Sequence, residues 1–167
     1  MFQRPRLSAL FLALTFVLPL GPAAQAQAQA CIVPANADAL QQEVLTNLNA
    51  ERKARGLSAL RLSAKLDKAA QGHACDIARR RSISHESSDG GTLKTRLRKA
   101  GYSFRAAAEN TGRGFGSGTR AVEWWMNSPK HRYNILLDRV RDVGIGIAVS
   151  DAPDSKLHWV LNFGASK

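Results

Sequence analysis

The sequence predicts an α+β fold in which helices pack against a small antiparallel sheet. Apolar residues recur with helical spacing up to about residue 126, whereas two short apolar runs, VGIGIAV at 143–149 and LHWVLNF at 157–163, follow near the end. The turn sequence DAPD at 151–154 separates these runs, which are therefore expected to pair as antiparallel strands. Helices that precede most of the strands are typical of the α+β class.

Residues 1–30 are expected to form a secretory signal peptide. Arg4 and Arg6 precede an apolar run of 14 residues at 7–20, and small-x-small sites allow cleavage near residues 28–30. A membrane-spanning helix needs about 20 apolar residues, so an uncleaved anchor is the less favoured alternative. The remaining residues, 31–167, are predicted to form one domain without a transmembrane span. The protein is therefore expected to be secreted or periplasmic.

The chain is strongly basic, with 24 Lys and Arg residues against 13 Asp and Glu residues. Removal of the predicted signal peptide takes away Arg4 and Arg6, so the net charge falls from +11 to +9. Outside the cytoplasm, such a charge favours anionic lipids or cell-wall polymers as partners. An ordinary solvated surface is the alternative explanation. No motif indicates sequence-specific nucleic-acid binding.

Cys31 and Cys75 are the two cysteines of the chain. In an exported protein an even pair predicts a disulfide, which here would join the mature N-terminus to a helix. Two free thiols are the alternative.

The first two helices are predicted from their apolar stripes and end signals. The first begins at Asp38 as its N-cap and ends before Gly56, with Leu40, Val44, Leu45 and Leu48 on one side. The second begins after Ser63 and runs to about Arg80. Its apolar side includes His73, which is expected to be a hydrogen-bonded core residue.

The next segments alternate between loops and helices. Loops are predicted at 82–91 and 111–118, and the segment 102–110 is expected to be extended at least in part. Thr92 is predicted to cap a short third helix that Gly101 closes, and Thr119 to cap a fourth helix. Ser128 and Pro129 are expected to end that helix and to leave His131 in a turn.

Common catalytic motifs are incomplete in this sequence. HESSD at 85–89 starts like the zinc-protease motif HExxH, but Asp89 stands where the second histidine belongs. The glycines of TGRGFGSG at 111–118 lack the lysine and hydroxyl residue of a phosphate-binding loop. His85, Glu109 and His131 remain as candidates, because two lie in predicted breaks and Glu109 follows three alanines. From the residues alone, three polar residues that serve separate loops are the favoured explanation.

Eight segments together carry a specific resemblance to a known family. The segments are LNAERKARGLSAL (48–60), AAQGHACDIA (69–78), ISHES (83–87), AGY (100–102), AEN (108–110), WWMNSPKHRYNIL (124–136), VGIG (143–146) and HWVLNFG (158–164). In this order the chain resembles the CAP superfamily of cysteine-rich secretory, venom-allergen and plant pathogenesis-related proteins, and most closely its bacterial SCP-like branch. The resemblance extends from about residue 40 to residue 164.

The resemblance implies a three-layer α/β/α sandwich with a cleft where two histidines and two acids gather. Matched by motif, the cleft residues are His85, Glu109 and His131, whereas Ser128 stands where the second acid is expected. Ser128 and Asn134 are expected to line the cleft. His85 and His131, with Glu109 as a further ligand, would hold a divalent metal such as zinc only weakly, because the fourth ligand is missing.

Three functions follow as hypotheses. The favoured one is an exported, non-catalytic binding module whose cleft takes a lipid, a sterol-like molecule or a cell-wall fragment. A metal-assisted hydrolase resembling a protease, with Glu109 as base, is the first alternative. An envelope-associated structural or interaction protein is the second.

Overall fold

The structure, a computed structural model, describes residues 30–151, 153 and 157–167. Apart from Ala30, the predicted signal peptide lies outside the described residues, as do positions 152 and 154 of the predicted turn. No helix within the described ranges has the length and apolar character that crossing a membrane requires.

The described residues form five helices and four strands. In chain order they are α1 Ala37–Lys53, β1 Arg61–Leu62, α2 Ala64–Arg79, α3 Leu93–Lys99, β2 Phe104–Arg113, α4 Gly118–Met126, α5 Pro129–Ile135, β3 Asp142–Val149 and β4 Leu157–Ser166. The strand order in the sheet is β1-β3-β4-β2. The predicted pairing of β3 with β4 is confirmed, β2 also pairs antiparallel with β4, and the short strand β1 pairs parallel with β3.

The sheet is the middle layer of an α/β/α sandwich, as the resemblance implied. Odd-numbered side chains of β3 and β4, such as Ile145 and Trp159, pack with α1 and α4 in the main core. Even-numbered positions such as Ala148 and Val160 pack against α2 on the other face. Both faces of β3 and β4 are thus covered, which explains why these strands are apolar on each side.

Two glycines let α2 lie directly on β3. A Cβ atom on Gly144 would stand 2.1 Å from the carbonyl carbon of Leu66, and one on Gly146 would stand 2.3 Å from that of Ala70. The strand main chain is bound to the helix as well, because the Ile145 N–H donates to Asp67 Oδ1 at 2.9 Å. This close packing fixes α2, and with it His73, against the sheet.

Helix ends agree with the prediction in part. Ser63 and Thr92 are the N-cap residues of α2 and α3, and Gly56 and Gly101 adopt the positive φ angles of helix-terminating glycines. The Asp38 cap was wrong, because the N-cap of α1 is Asn36, two residues earlier.

The Thr119 cap was also wrong. The N-cap of α4 is Ser117, whose Oγ accepts a hydrogen bond from the Arg120 N–H at 3.3 Å. Thr119 lies in the first turn, where its hydroxyl donates to Glu43 Oε1 of α1 at 2.6 Å. A hydroxyl residue near the start of the helix was recognised, but the sequence contains two of them.

The predicted loop at 111–118 is shorter than expected, because part of it belongs to β2. β2 continues through Arg113, because β4 is long enough to pair with it as far as His158. Only residues 114–117 of the predicted loop 111–118 connect β2 to α4.

Pro129 does not leave a turn after it but starts α5, since proline is well accommodated at the first position of a helix. His131 therefore lies on a helix, not in a turn.

The predicted disulfide is present. Cys31 and Cys75 are bonded, with their Cα atoms 5.3 Å apart, so the two-thiol alternative was wrong. The bond ties the segment before α1 to α2. The same segment makes an antiparallel bridge from Ile32 to Val149 at the end of β3.

Candidate functional site

Glu109 of β2 is the centre of the polar cluster beneath α2 and α3. Its side chain is only 3% exposed. Its Oε1 atom lies 2.9 Å from His85 Nδ1, and its Oε2 atom accepts from Arg96 Nη2 at 2.7 Å. Asn162 is the partner of Glu109 in β4, and its amide satisfies its neighbours when the nitrogen is the atom that faces Oε2, at 3.0 Å. Burial of a carboxylate is costly without such partners, and here they come from three parts of the chain: a loop, α3 and β4.

Arg96 of α3 holds the loop that carries His85. Its Nη1 atom donates to the carbonyl oxygens of His85 and Gly91 and to Ser87 Oγ, at 2.9–3.1 Å. Through Nη2 the same guanidinium binds Glu109. One side chain therefore fixes both the loop and the carboxylate that the loop histidine contacts.

His85 lies at the surface end of this cluster. Its side chain is 61% exposed, in contrast to that of Glu109. A cavity of about 360 Å³ is lined by His85 and Glu109 together with Glu86, Thr92 and Leu93. This cavity is the candidate cleft, because a buried acid and an exposed histidine both line it.

His73 of α2 lies on the buried side of the cluster. It is 1% exposed, and its Nε2 atom lies 2.9 Å from the carbonyl oxygen of Ser84 and 3.9 Å from Glu109 Oε1. A carbonyl can only accept, so Nε2 carries the proton and Nδ1 faces Ser87 Oγ, at 3.5 Å. Burial lowers the pKa of His73, although the charge of Glu109 opposes the shift. The expectation of a hydrogen-bonded core histidine is confirmed.

His131 approaches the cluster from α5 without bonding to it. Its Nδ1 atom lies 2.8 Å from Ser128 Oγ, and its ring centre lies 5.2 Å from that of Trp124. Burial lowers the pKa of His131, and the nearby His85 lowers it further. No hydrogen bond joins His131 to His85 or Glu109 within the part of the chain that the structure describes. Ser128 therefore contacts His131, whereas the cavity at His85 is lined by other residues.

Two asparagines attach α5 to β2 beside Glu109. Asn134 donates to the Glu109 carbonyl at 3.1 Å and to Asn110 Oδ1 at 2.9 Å. Asn110 in turn donates to the carbonyl of His131 at 3.1 Å. The structure thus places Asn134 as a tie between helix and strand, whereas the sequence analysis expected it to line the cleft.

The order of these elements and the histidine–glutamate pair match a known family. Residues 45–163 fit the profile of CAP, the cysteine-rich secretory protein family. The chain belongs to this family. The predicted resemblance is therefore confirmed.

Relatives and solved structures of the CAP family agree with this assignment. The chain is 31% identical to the protein YkwD of Bacillus subtilis over 117 residues, which are 70% of this chain and 46% of YkwD. The fold of an extracellular protein with an SCP domain from Bacillus anthracis matches with a TM-score of 0.65 and 28% identity, over 80% of this chain and 45% of that one. An outer surface protein of Borrelia burgdorferi matches with a TM-score of 0.72 and 24% identity, over 83% and 98% of the two chains. The chain spans less than half of YkwD.

Few side chains around Glu109 remain available to a metal ion. Within residues 30–151, 153 and 157–167, no three His, Cys, Asp or Glu side chains form a group that could hold a metal. His85 Nδ1 and both oxygens of Glu109 are engaged with protein atoms. The Nε2 atoms of His85 and His131 are the donors that remain, and Glu109 is placed to orient His85 as a carboxylate behind a ligand does.

Three features of the polar cluster around Glu109 were not predicted from the sequence. They are Arg96, Asn162 and the approach of His73 to Glu109. A signal existed for Arg96, because it lies three residues after the inward-facing Leu93 on a short helix. Asn162 also gave a signal, as a polar residue within an apolar strand. Neither signal identifies the residue that Arg96 or Asn162 contacts, because these contacts join different helices and strands.

Proposed function

We propose that this CAP domain is an exported binding module whose cleft, at His85 and Glu109, holds a small ligand without chemically changing it. The observation that supports this most is the state of Glu109. Both of its oxygens accept charged or polar hydrogen bonds from side chains of the protein. A carboxylate so engaged orients His85 and balances Arg96, and is poorly placed to take a proton from water, as the hydrolase hypothesis requires.

The ligand class follows from the cavity and the charge. Leu93 supplies an apolar wall, whereas Thr92, His85 and Glu86 are polar groups at the cavity of about 360 Å³. This volume and mixture suit a small amphipathic molecule such as a lipid, a sterol-like compound or a cell-wall fragment. The net charge of +9 that remains after removal of Arg4 and Arg6 with the predicted signal peptide favours anionic lipids and wall polymers near the molecule.

Export is supported by the sequence and by similar proteins. The signal-peptide pattern of residues 1–30 predicts secretion or a periplasmic location. Two structurally similar proteins are described as an extracellular protein and an outer surface protein. Association with the envelope through basic residues is compatible with the same location and does not exclude a ligand in the cleft.

A weakly held divalent ion such as zinc is a further part of this proposal. His85 and His131 would each offer Nε2, and Glu109 would keep His85 in the orientation for binding. Two protein ligands leave most of the coordination shell to water or to a ligand, which predicts weak affinity.

Thermal unfolding with and without zinc tests the metal. The melting temperature of the wild-type protein is expected to rise at millimolar zinc, and the rise should vanish in His131→Ala. Tyr133→Ala is the matched control, because Tyr133 lies two residues away on α5 and is 65% exposed. An unchanged wild-type melting temperature would refute the metal.

Equilibrium binding of cholesterol, phosphatidylglycerol vesicles and muramyl dipeptide tests the cleft itself. Glu86→Trp fills the cavity mouth, and Glu86→Gln makes the same charge change without the bulk. We expect at least one probe to bind wild type and Glu86→Gln equally and Glu86→Trp at least about tenfold more weakly, which is about 1.4 kcal/mol. Absence of binding by all three probes contradicts the proposal.

A further inference from the structure

A second cavity lies on the other side of the loop that carries His85. Its volume is about 680 Å³, and it is enclosed by α2, the loop residues 87–91 and α3. Ligand sites typically have volumes of about 300–1,000 Å³. His85 and Glu109 do not line it, so it is distinct from the candidate cleft. We refer to it as the α2–α3 cavity.

The walls of the α2–α3 cavity are held in place by hydrogen bonds. Asp76 of α2 accepts from the Ser88 N–H at 3.0 Å, and Arg96 of α3 donates to Ser87 Oγ and the Gly91 carbonyl at 2.9 Å. The loop is therefore bound to both helices. A ligand would not need to order it, which removes one of the usual costs of binding.

Gly72 keeps the floor of the cavity open. It lies in the middle of α2, where glycine is less favourable than alanine, and its φ angle is not positive. A Cβ atom added there would meet no other atom within 4 Å. Packing of the fold therefore does not require glycine at this position, and the missing side chain instead leaves space within the cavity.

The lining side chains of this cavity that form no ion pair with a described residue carry a net positive charge, from Lys68 and Lys99 against Asp89. Lys68 and Lys99 line it from the two helices, are exposed, and form no ion pair with any residue that the structure describes. Asp76 is already paired with Arg80 at 2.7 Å. Asp89, on the opposite rim, is exposed, and its Oδ1 atom accepts from the Gly91 N–H.

The remaining surface of the cavity is apolar. Ala69 of α2 and Ala100, which follows α3, contribute small apolar side chains beside Gly72. A ligand that matches these features carries an anionic group for the two lysines and a compact apolar body for the alanines. An uncharged molecule would leave both lysines without a counter-charge.

We propose that the α2–α3 cavity is a second ligand site, for a small amphipathic molecule with one carboxylate or phosphate group between Lys68 and Lys99. Two sources supply this chemistry: a carboxylate-bearing cell-wall sugar and the phosphate head group of a short lipid. Gly72 makes room for the body of the molecule, and the loop 87–91 forms the wall against which it packs.

Titration calorimetry of the full mature chain tests this proposal at low salt. N-acetylmuramic acid represents the wall source, and dihexanoyl phosphatidic acid below its micelle concentration represents the lipid source. We expect one of them to bind saturably, with the source identified by which one does. Failure of both to saturate overturns the proposal.

Variants locate the site. Gly72→Leu places a side chain in the cavity on an exposed helix face, where it improves helix propensity and leaves folding intact. It is expected to weaken binding at least tenfold. Binding at wild-type affinity by Gly72→Leu overturns the proposal, and its unchanged circular dichroism shows that any loss is not due to unfolding.

Charge variants distinguish specific binding in the α2–α3 cavity from general attraction of anions to a basic protein. The double variant Lys68→Ala with Lys99→Ala should weaken binding at least tenfold. Lys65→Ala with Lys94→Ala removes the same charge from the same two helices, outside the cavity, and should weaken it less than twofold. Equal losses in the two double variants overturn the site. Glu86→Trp, which fills the candidate cleft, should leave this binding unchanged, so the two proposals fail independently.

Discussion

Arg52 and Glu109 are both charged and both buried, yet their surroundings differ completely. Arg52 of α1 is 0% exposed, and its side-chain hydrogen bonds to the described residues all go to main-chain carbonyls. The acceptors belong to Ser58, Ile135, Leu137 and Val140, at 2.7–3.2 Å. Glu109 is 7% exposed and contacts side chains, one of which, His85, is 61% exposed.

This difference in surroundings indicates that the charge of Arg52 is structural, whereas the charge of Glu109 belongs to a candidate site. Arg52 satisfies carbonyls that follow α1 and α5, so it closes those segments over the core and has no path to solvent. Glu109 reaches the surface through His85 and borders a cavity. Burial alone therefore does not indicate function, whereas the exposure of the partners does. The predictions below test this distinction by removing each charge in turn.

The largest effect is expected for Arg52→Met, which keeps the volume of the side chain but removes the donor to the carbonyls of Ser58, Ile135 and Leu137, whereas the Val140 carbonyl keeps Arg141 Nη1 at 2.9 Å. Each unsatisfied buried polar group costs about 1–3 kcal/mol, so we expect the free energy of unfolding to fall by about 4 kcal/mol. Urea unfolding followed by circular dichroism measures the change.

Arg55→Met is the matched control for this substitution. Arg55 follows the same helix, but its ion pair with Glu51 is exposed and should contribute less than about 1 kcal/mol. Similar losses in the two variants would show that the buried contacts of Arg52 are not its main contribution.

A smaller loss is expected for Glu109→Gln. The amide keeps the shape of the carboxylate but loses the charge that Arg96 Nη2 and His85 face. Hydrogen bonds to charged groups contribute about 1.5–3 kcal/mol, so a loss of about 2 kcal/mol is expected in urea unfolding. Glu86→Gln, at the exposed rim of the same cavity, should change stability by less than about 0.5 kcal/mol. Equal stability of Glu109→Gln and wild type would mean that the cluster does not hold the loop.

The sequence was sufficient for the parts of the fold that depend on local patterns. The strands β3 and β4 and the stripe of α2 that includes His73 are visible as periodicity, and Thr92 and Gly101 mark the ends of α3. The disulfide followed from there being two cysteines in a chain predicted to be exported. The family resemblance added the layer order, which periodicity does not contain.

What could not be predicted depends on contacts between distant segments. Arg96 bonds to Glu109 and to the loop before its own helix, and no local pattern encodes that geometry. The same is true of Arg52, which is surrounded by polar residues in the sequence and is nevertheless wholly buried. His131 was placed in a turn because Pro129 was interpreted as a helix breaker, although proline also begins helices.

The smallest effect is expected in the pH dependence of stability, and it distinguishes the two regions in another way. Arg52 keeps its proton at any ordinary pH, whereas His73, beside Glu109, titrates. Burial lowers the pKa of His73 in the folded protein below its ordinary value, against the opposing charges of Glu109 and Asp76 and with the help of Arg96. The unfolded chain therefore binds the proton first as the pH falls.

Stability should accordingly be highest above about pH 6.5 and decline as the pH falls from there towards the folded-state pKa of His73, below which both states are protonated. His73→Gln retains a side-chain nitrogen for the Ser84 carbonyl and removes the titrating group. Urea midpoints between pH 7.5 and pH 5 should therefore decline less steeply in His73→Gln than in wild type. The decline that remains is expected to include His131, whose pKa burial also lowers. An identical slope in wild type and His73→Gln would show that His73 has the same pKa in the folded and the unfolded chain, and would contradict the lowering of that pKa by burial.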